Sequence, residues 1–241
     1  MSKNILLAIP HNYNGFDVNF TMSLLGMQDY FFEWVIKNKR EDTISIVRQS
    51  GYQIDEMRNV LVELAKKNKM THILFIDSDM AFPQEMIVRM IEDFEDNKGV
   101  EAITGLYVRK KPPYLPHVYP KFLKTKKYGI AGFFPTNSIF PVEGAGMGCC
   151  MIDMKVFKKK PYFKMGGSAK GAKHLGEDLY FFAKFKPKTL CDSRLNCMHY
   201  STMGVNLGTY IKSNGLKEKN GNIFGTKNQI KRILKLYKNK S

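Results

Sequence analysis

Two hydrophobic periods alternate through the first half of this chain. Asn4–Pro10, Thr71–Ile76 and Val100–Val108 are short apolar runs rich in β-prone residues. Runs of this length predict strands covered on both faces. Between them, Asp17–Lys37 and Gln53–Asn68 carry apolar residues at helical spacing. Asp17 suits an N-cap for the first helix, and Val60, Leu61, Leu64 and Ala65 form the inward stripe of the second. Asp42–Gln49 reads as another strand. Glu85–Asn97 reads as a helix, with Pro83 in its first turn, where proline is tolerated. Strands and helices alternating at these lengths predict an α/β fold with a doubly wound, mostly parallel sheet.

The pattern changes after Val108. Lys110–Pro120 is proline-rich, with Tyr114, Leu115, His117 and Tyr119 interleaved, and predicts an extended loop or edge strand. Residues 121–142 predict a β-ribbon, Gly144–Ile152 a glycine-rich entry into a strand, and Met154–Lys159 a short helix. Lys164–Lys173, with Gly166, Gly167 and Gly171, reads as loop, and Glu177–Phe185 as helix. Thr189–Cys191 and Asn196–Tyr200 are strand-like. From Met203 the chain is rich in Gly, Asn and Lys up to a basic amphipathic segment, Gln229–Lys238. No internal repeat and no second domain is evident.

Composition narrows the class. With 241 residues, 44% hydrophobic and 12% aromatic, the chain can bury one sizeable core. No apolar run reaches the ~18 residues of a membrane span, and the N-terminus enters a strand too directly for a signal peptide, so the expected location is cytoplasmic. Cys149, Cys150, Cys191 and Cys197 have no zinc spacing, which predicts buried free thiols. The net charge of +16 suits a polyanionic partner. However, 31 of the 38 basic residues are lysine, which an AT-rich genome also produces, and arginine forks are the better phosphate readers.

The chemistry concentrates at Ile73-Leu74-Phe75-Ile76-Asp77-Ser78-Asp79. In open α/β sheets ligands bind beyond the carboxyl ends of such strands. With Ser78 extended, Asp77 and Asp79 share one side. Paired carboxylates repel unless a cation or donors sit between them, and Mg²⁺ or Mn²⁺ bridging substrate phosphates meets that need. The same residues serve equally as a helix N-cap before Pro83.

Seven elements together resemble a GT-A glycosyltransferase of the family 2-like kind. They are Ile5–Pro10, Met57-Arg58-Asn59, Asp77-Ser78-Asp79 as its DxD, Gly105–Arg109, Gly144–Gly148, Gly176-Glu177-Asp178 as its ED motif, and Met198-His199. The resemblance spans about residues 4–200. It implies a single catalytic domain over residues 1–205, with nucleotide-binding (1–110) and acceptor-binding (111–205) halves and a small β-ribbon in the latter, then a basic extension, 206–241. It also implies a divalent metal, Mn²⁺ or Mg²⁺, on Asp79 with Asp77 and His199, Asp77 also being placed to accept from ribose hydroxyls. Asp178 is the implied base that deprotonates the acceptor, with Glu177 orienting it. Pro10, His11 and Asn12 end the first strand beside the nucleoside, and Arg58, opening a helix, faces phosphate or base. Ser78, Tyr107, Arg109, Gly146, Met147 and Gly148 complete the expected donor cleft. For the glycines a bulge, and for Tyr107 and Arg109 a solvated strand end, are the structural alternatives.

The expected function is therefore transfer of a sugar from a nucleotide-sugar donor, a UDP-sugar first, to a hydroxyl of a glycan or of a hydroxylated DNA base, with inversion. Two rivals remain. A nucleotidyltransferase shares the acidic site, but the loop after the first strand, His11-Asn12-Tyr13-Asn14-Gly15-Phe16, lacks the basic glycine-rich pattern. A non-catalytic nucleic-acid-binding protein explains the charge and leaves the acids without a purpose.

Overall fold

A computed structural model describes residues 2–11, 17–51, 53–119, 134–169, 172–200 and 204–238. The first half runs β1 (Asn4–Pro10), α1 (Val18–Lys37), β2 (Thr43–Gln49), α2 (Ile54–Lys67), β3 (His72–Ile76), β4 (Met80–Ala81), α3 (Met86–Asp96) and β5 (Ala102–Leu106). The second half begins with β6 (Val118–Tyr119), β7 (Ile139–Val142), β8 (Gly144–Ala145), β9 (Cys149–Asp153), β10 (Gly167–Ala169) and β11 (Ala172–Leu175). It continues with α4 (Glu177–Phe185), β12 (Thr189–Asn196), β13 (Met198–Tyr200), β14 (Gly204–Val205), α5 (Leu207–Ser213), β15 (Lys217–Lys219), β16 (Asn222–Phe224) and α6 (Lys227–Lys238).

Seven strands form the central sheet in the order β2-β1-β3-β9-β5-β12-β7. Strands β2, β1, β3, β5 and β12 run one way, and β9 and β7 run against them. This is the mostly parallel α/β sheet the alternation predicts. The two-residue period divides its side chains between two cores. Leu6, Ala8, Ile73 and Phe75 pack with Leu61, Val62 and Ala65 of α2. Ile5, Leu7, Ile9, Leu74 and Ile76 pack with Phe20, Met27 and Phe31 of α1 and Met86, Ile87, Met90 and Ile91 of α3. Both faces of β1 and β3 are covered, which is why those strands are apolar throughout.

Local differences from the sequence pattern have simple causes. Val60 is half exposed, and Val62 takes the inward position, because the buried arc of α2 is set by Met57, Arg58, Leu61, Val62 and Ala65. Lys164–Lys173 contains β10, which pairs with β11 as a hairpin. The predicted helix after Met154 is one 3₁₀ turn, Met154–Val156, capped by Asp153. Most of the predicted ribbon lies outside the described residues; its end, β7, joins the main sheet beside β12. The small two-stranded elements described in the second half are instead β6–β8, β10–β11 and β15–β16.

The C-terminal segment packs onto the body. Tyr210, Leu216, Ile223 and Ile233 are buried in the same cluster as Ile73 and Phe75. Asn214 donates to the Pro113 carbonyl at 2.8 Å. All four cysteines are free and buried. Among the described residues no helix is long and apolar enough to cross a membrane.

Candidate functional site

The acids after β3 part company. Asp77 N–H donates to the Gly148 carbonyl at 3.1 Å, which joins the end of β3 to the start of β9, and Met80 N–H closes a turn on the Asp77 carbonyl at 3.2 Å. Ser78 therefore lies in a turn and not in extended chain, so the expected common side for Asp77 and Asp79 is lost. Each acid enters its own network.

Asp77 meets Arg58. The Arg58 guanidinium is buried, with Nη2 2.8 Å from Asp77 Oδ1 and Nη1 paired to Glu177 Oε1. It lies 6.0 Å from the ring centroids of both Phe75 and Phe163. Burial works against its charge, yet Asp77, Glu177 and Asp178 hold its pKa above the ordinary value. The neighbouring Asn59 fixes the wall of the site. Its side chain accepts from Tyr162 N–H at 2.9 Å and Phe163 N–H at 3.1 Å, and donates to the Phe163 carbonyl. Met57-Arg58-Asn59 thus combines a charge and a clamp on consecutive residues.

Asp178 sits one residue beyond Glu177 at the start of α4. Its Oδ1 accepts from Leu179 N–H at 2.7 Å. Burial first, and the Glu177 charge second, push its pKa up to about 7. Arg58 opposes the rise but is itself occupied by Glu177 and Asp77. A carboxyl poised near neutrality can take a proton from a substrate hydroxyl and release it again.

Asp79 joins His199. Strand β13 pairs antiparallel with β4, and Tyr200 N–H donates to the Asp79 carbonyl at 2.8 Å. This local pairing brings His199 Nε2 to 3.4 Å from Asp79 Oδ1. On the other ring nitrogen, Nδ1 lies 3.0 Å from the Val108 carbonyl. A carbonyl only accepts, so Nδ1 carries a proton, and Nε2 is the ring nitrogen that faces the carboxylate. Asp79 Oδ1 is buried and has no hydrogen-bond partner. An imidazole nitrogen facing a carboxylate oxygen calls for a proton or a cation between them. The donor set, one carboxylate oxygen and one imidazole whose far nitrogen is anchored, fits a divalent metal. Among the described residues no group of three or more His, Cys, Asp or Glu side chains is arranged to hold one. Of the three expected ligands, Asp79 and His199 face each other and Asp77 binds Arg58. Lys110 is paired to the other Asp79 oxygen.

Behind these networks lies an aromatic floor. Tyr107 stacks on His117 at 4.9 Å and meets His199 edge-on at 5.5 Å. Its hydroxyl accepts from Gly148 N–H at 3.0 Å, and burial holds its pKa well above the usual phenol value. A Cβ at Gly146 would fall 2.0 Å from that hydroxyl; one at Gly148 would lie 3.0 Å from it and 3.1 Å from Asp77 Oδ2. The glycines are what let the ring approach so closely. Burial, then Arg109 and His199, lower the His117 pKa to about 3, so this ring is neutral.

The remaining expected residues distribute as follows. Pro10 and His11 are buried at the end of β1, with His11 N–H on the Gln49 carbonyl, and Asn12 lies outside the described residues. Arg109 Nη2 is 3.0 Å from Tyr119 Oη, and Met147 is buried in the core. The sequence reading assigned no role to Lys110 or to the clamp at Asn59. His117 was visible only as one polar residue in a proline-rich run.

No protein-family model matches this sequence, and no curated protein is similar enough to it to count as a match. Solved structures do match. A197 from STIV superposes with a TM-score of 0.56 at 19% identity, over 86% of this chain and 91% of that one. GalNAc-T7, crystallised with UDP, GalNAc and Mn²⁺, gives a TM-score of 0.50 at 10% identity over 89% of this chain. The fold is GT-A-like. This chain spans 48% of the GalNAc-T7 chain. HddC from Yersinia pseudotuberculosis reaches a TM-score of 0.45 at 12% identity over 88% of this chain and 98% of that one, too low to carry an argument.

Proposed function

We propose that this chain is a glycosyltransferase that moves a sugar from a nucleotide-sugar donor, UDP-linked, to an acceptor hydroxyl with inversion at the anomeric carbon. The observation that carries the reading is the Asp178 carboxyl. It is held near neutrality beside a buried Arg58 that also binds Asp77, at the carboxyl end of a parallel strand in a GT-A-like fold. Asp178 accepts the acceptor proton as the acceptor oxygen bonds to the anomeric carbon. The bond from that carbon to the diphosphate oxygen breaks, and the nucleoside diphosphate leaves with the electron pair. Glu177, fixed by Arg58, orients the acceptor. Asp79 and His199 would hold a divalent cation, which would supply charge stabilisation for the departing diphosphate. The acceptor is a glycan or a hydroxylated base in DNA, the latter supported by the net charge of +16.

The test is a titration of UDP with and without Mn²⁺, followed by a nucleotide-sugar hydrolysis panel. Metal-dependent UDP binding that Asp79→Ala removes supports the reading. Binding that ignores both metal and variant overturns it.

A further inference from the structure

The segment after β5 is a braced turn whose charges face a concavity. The Val108–Pro116 bridge closes it, Arg109 N–H donates to the Leu115 carbonyl at 2.9 Å, and His117 N–H donates to the Tyr107 carbonyl at 3.0 Å. Tyr114 N–H donates to the Lys111 carbonyl at 2.9 Å across the tip, with Tyr114 in the left-handed region at φ 53°. From outside, Asn214 of α5 holds the Pro113 carbonyl. A turn pinned from both sides keeps its side chains in place without a ligand.

Within this turn a cleft of about 330 Å³ is lined by Arg109, Lys110, Lys111, Pro112, Pro113 and Leu115. Three consecutive basic residues line it and, among the described residues, no carboxylate does. Lysine is common over this whole chain, and on a convex surface three basic residues would signify little. Here they share a hollow lined also by two prolines and the buried Leu115. The hollow lies at the small end of ligand sites and has room for a phosphoryl or diphosphate group. Lys110 joins it to the site above, since its ammonium also pairs with Asp79.

We infer that this cleft is a phosphoryl-binding subsite, in which Lys110 and Lys111 offer point charges to phosphate oxygens and Arg109, held on Tyr119 Oη, adds its fixed charge. Its place in catalysis rests on the glycosyltransferase reading; its affinity for phosphate does not. The phosphoryl group has two possible sources with the same chemistry: the donor diphosphate, reaching across from Asp79, or a phosphate carried by the acceptor.

The experiment uses the full chain and isothermal titration with three probes: inorganic pyrophosphate without metal, UDP with Mn²⁺, and a sugar monophosphate compared with the same sugar unphosphorylated. Lys111→Glu inverts an exposed charge in the cleft. Lys67→Glu, exposed on α2, makes the same change in net charge elsewhere. Wild type should bind pyrophosphate, Lys111→Glu should weaken it ~10-fold or more, as expected for losing a charge-assisted contact, and Lys67→Glu should bind as wild type. A parallel loss for UDP with Mn²⁺ identifies the donor as the source, and a loss confined to the sugar monophosphate identifies the acceptor. No pyrophosphate binding by wild type, or equal binding by Lys111→Glu and Lys67→Glu, overturns the subsite. Asp79→Ala separates the two claims. If it leaves UDP binding unchanged while pyrophosphate still discriminates the lysine variants, the transferase reading fails and the subsite stands.

Discussion

Arg58 Nη2 lies 2.8 Å from Asp77 Oδ1, which couples the end of β3 to α2, while the opposite Nη of the same guanidinium reaches Glu177 on α4. Two acids 100 residues apart in sequence are thereby held by one buried cation. Removing that cation leaves Asp77 and Glu177 without their partner and Asp178 without its nearest positive charge. Losing one side of a buried charge network costs about 3–5 kcal/mol. Arg58→Ala should therefore lower stability by that amount in urea titration with an unchanged slope. Arg58→Lys, which keeps the charge but cannot span both acids, should fall between.

The Asp178 pKa makes activity and stability respond to pH in opposite senses. With the folded value at about 7, the basic form accumulates as pH rises, so kcat/KM should climb through about pH 7 and then level. For stability, the folded state holds this proton more tightly than the unfolded chain, whose carboxyl titrates near the ordinary 3.8. The favourable contribution is complete below the unfolded value and is lost as pH rises toward the folded one. Asp93, raised to about 7 by burial and then by Asp192, has the same sign. Asp178→Asn should thus reduce, without abolishing, the decline in stability across this window. The same variant should lose ~10²–10⁴-fold in kcat while UDP affinity stays near wild type. Full activity in Asp178→Asn, with Glu177→Gln dead, would move the base by one residue.

In the proposed metal site His199 and Asp79 are the two ligands, and the β4–β13 pairing sets their separation. Either Asp79→Asn or His199→Ala should weaken Mn²⁺ binding, read by electron paramagnetic resonance of free Mn²⁺, by at least ~10-fold, the usual scale for a disturbed metal site. Asp77→Asn should weaken it less, because Asp77 serves Arg58. Equal losses for the two aspartates would restore a three-ligand site.

How much of this was legible depended on the range of each interaction. The strands Asn4–Pro10 and His72–Ile76 could be read because burial on both faces leaves an apolar run, and α4 because Gly176 and the acids mark its start. The motifs pointed to Arg58, Asp77, Asp79, Glu177, Asp178 and His199, and the fold does bring them to one end of the sheet. Their pairing was not legible. It turns on Ser78 entering a turn just after Asp77, whose N–H is held by the Gly148 carbonyl 71 residues further along the chain. Lys110 on Asp79 and Asn59 on Tyr162–Phe163 are likewise contacts made only by tertiary packing, with no local spacing to announce them.

Gly146 and Tyr107 should be energetically coupled. A Cβ at residue 146 would meet the Tyr107 hydroxyl at 2.0 Å and Cζ at 2.9 Å, with His117 Nδ1 at 3.1 Å on another side, so the ring cannot simply lean away. Overpacking of this kind costs roughly 1–3 kcal/mol. Gly146→Ala should lose that much by thermal and urea unfolding. In Gly146→Ala with Tyr107→Phe the closest clash is gone, so the double variant should be more stable than the sum of the two single losses predicts. Strict additivity would mean that the backbone, and not the ring, absorbs the methyl group.

Tyr210 tests whether the chain beyond the catalytic motifs belongs to the same folding unit. It is fully buried, in one cluster with Ile73 and Phe75 of the central sheet, and Ile233 of α6 joins the same cluster. Large-to-small changes at such sites cost about 3–5 kcal/mol for an aromatic and about 2–5 for isoleucine. Tyr210→Ala and Ile233→Ala should each shift the single unfolding transition of the whole protein by amounts in those ranges. The basic face of α6 is separate from this packing. Lys227→Gln with Lys231→Gln, both on exposed positions, should leave stability within about 0.5 kcal/mol. If the acceptor is DNA, the same pair should weaken its binding and flatten its salt dependence, because each neutralised phosphate contributes to the slope. An unchanged slope in that double variant would leave α6 as a brace for the core and remove it from acceptor binding.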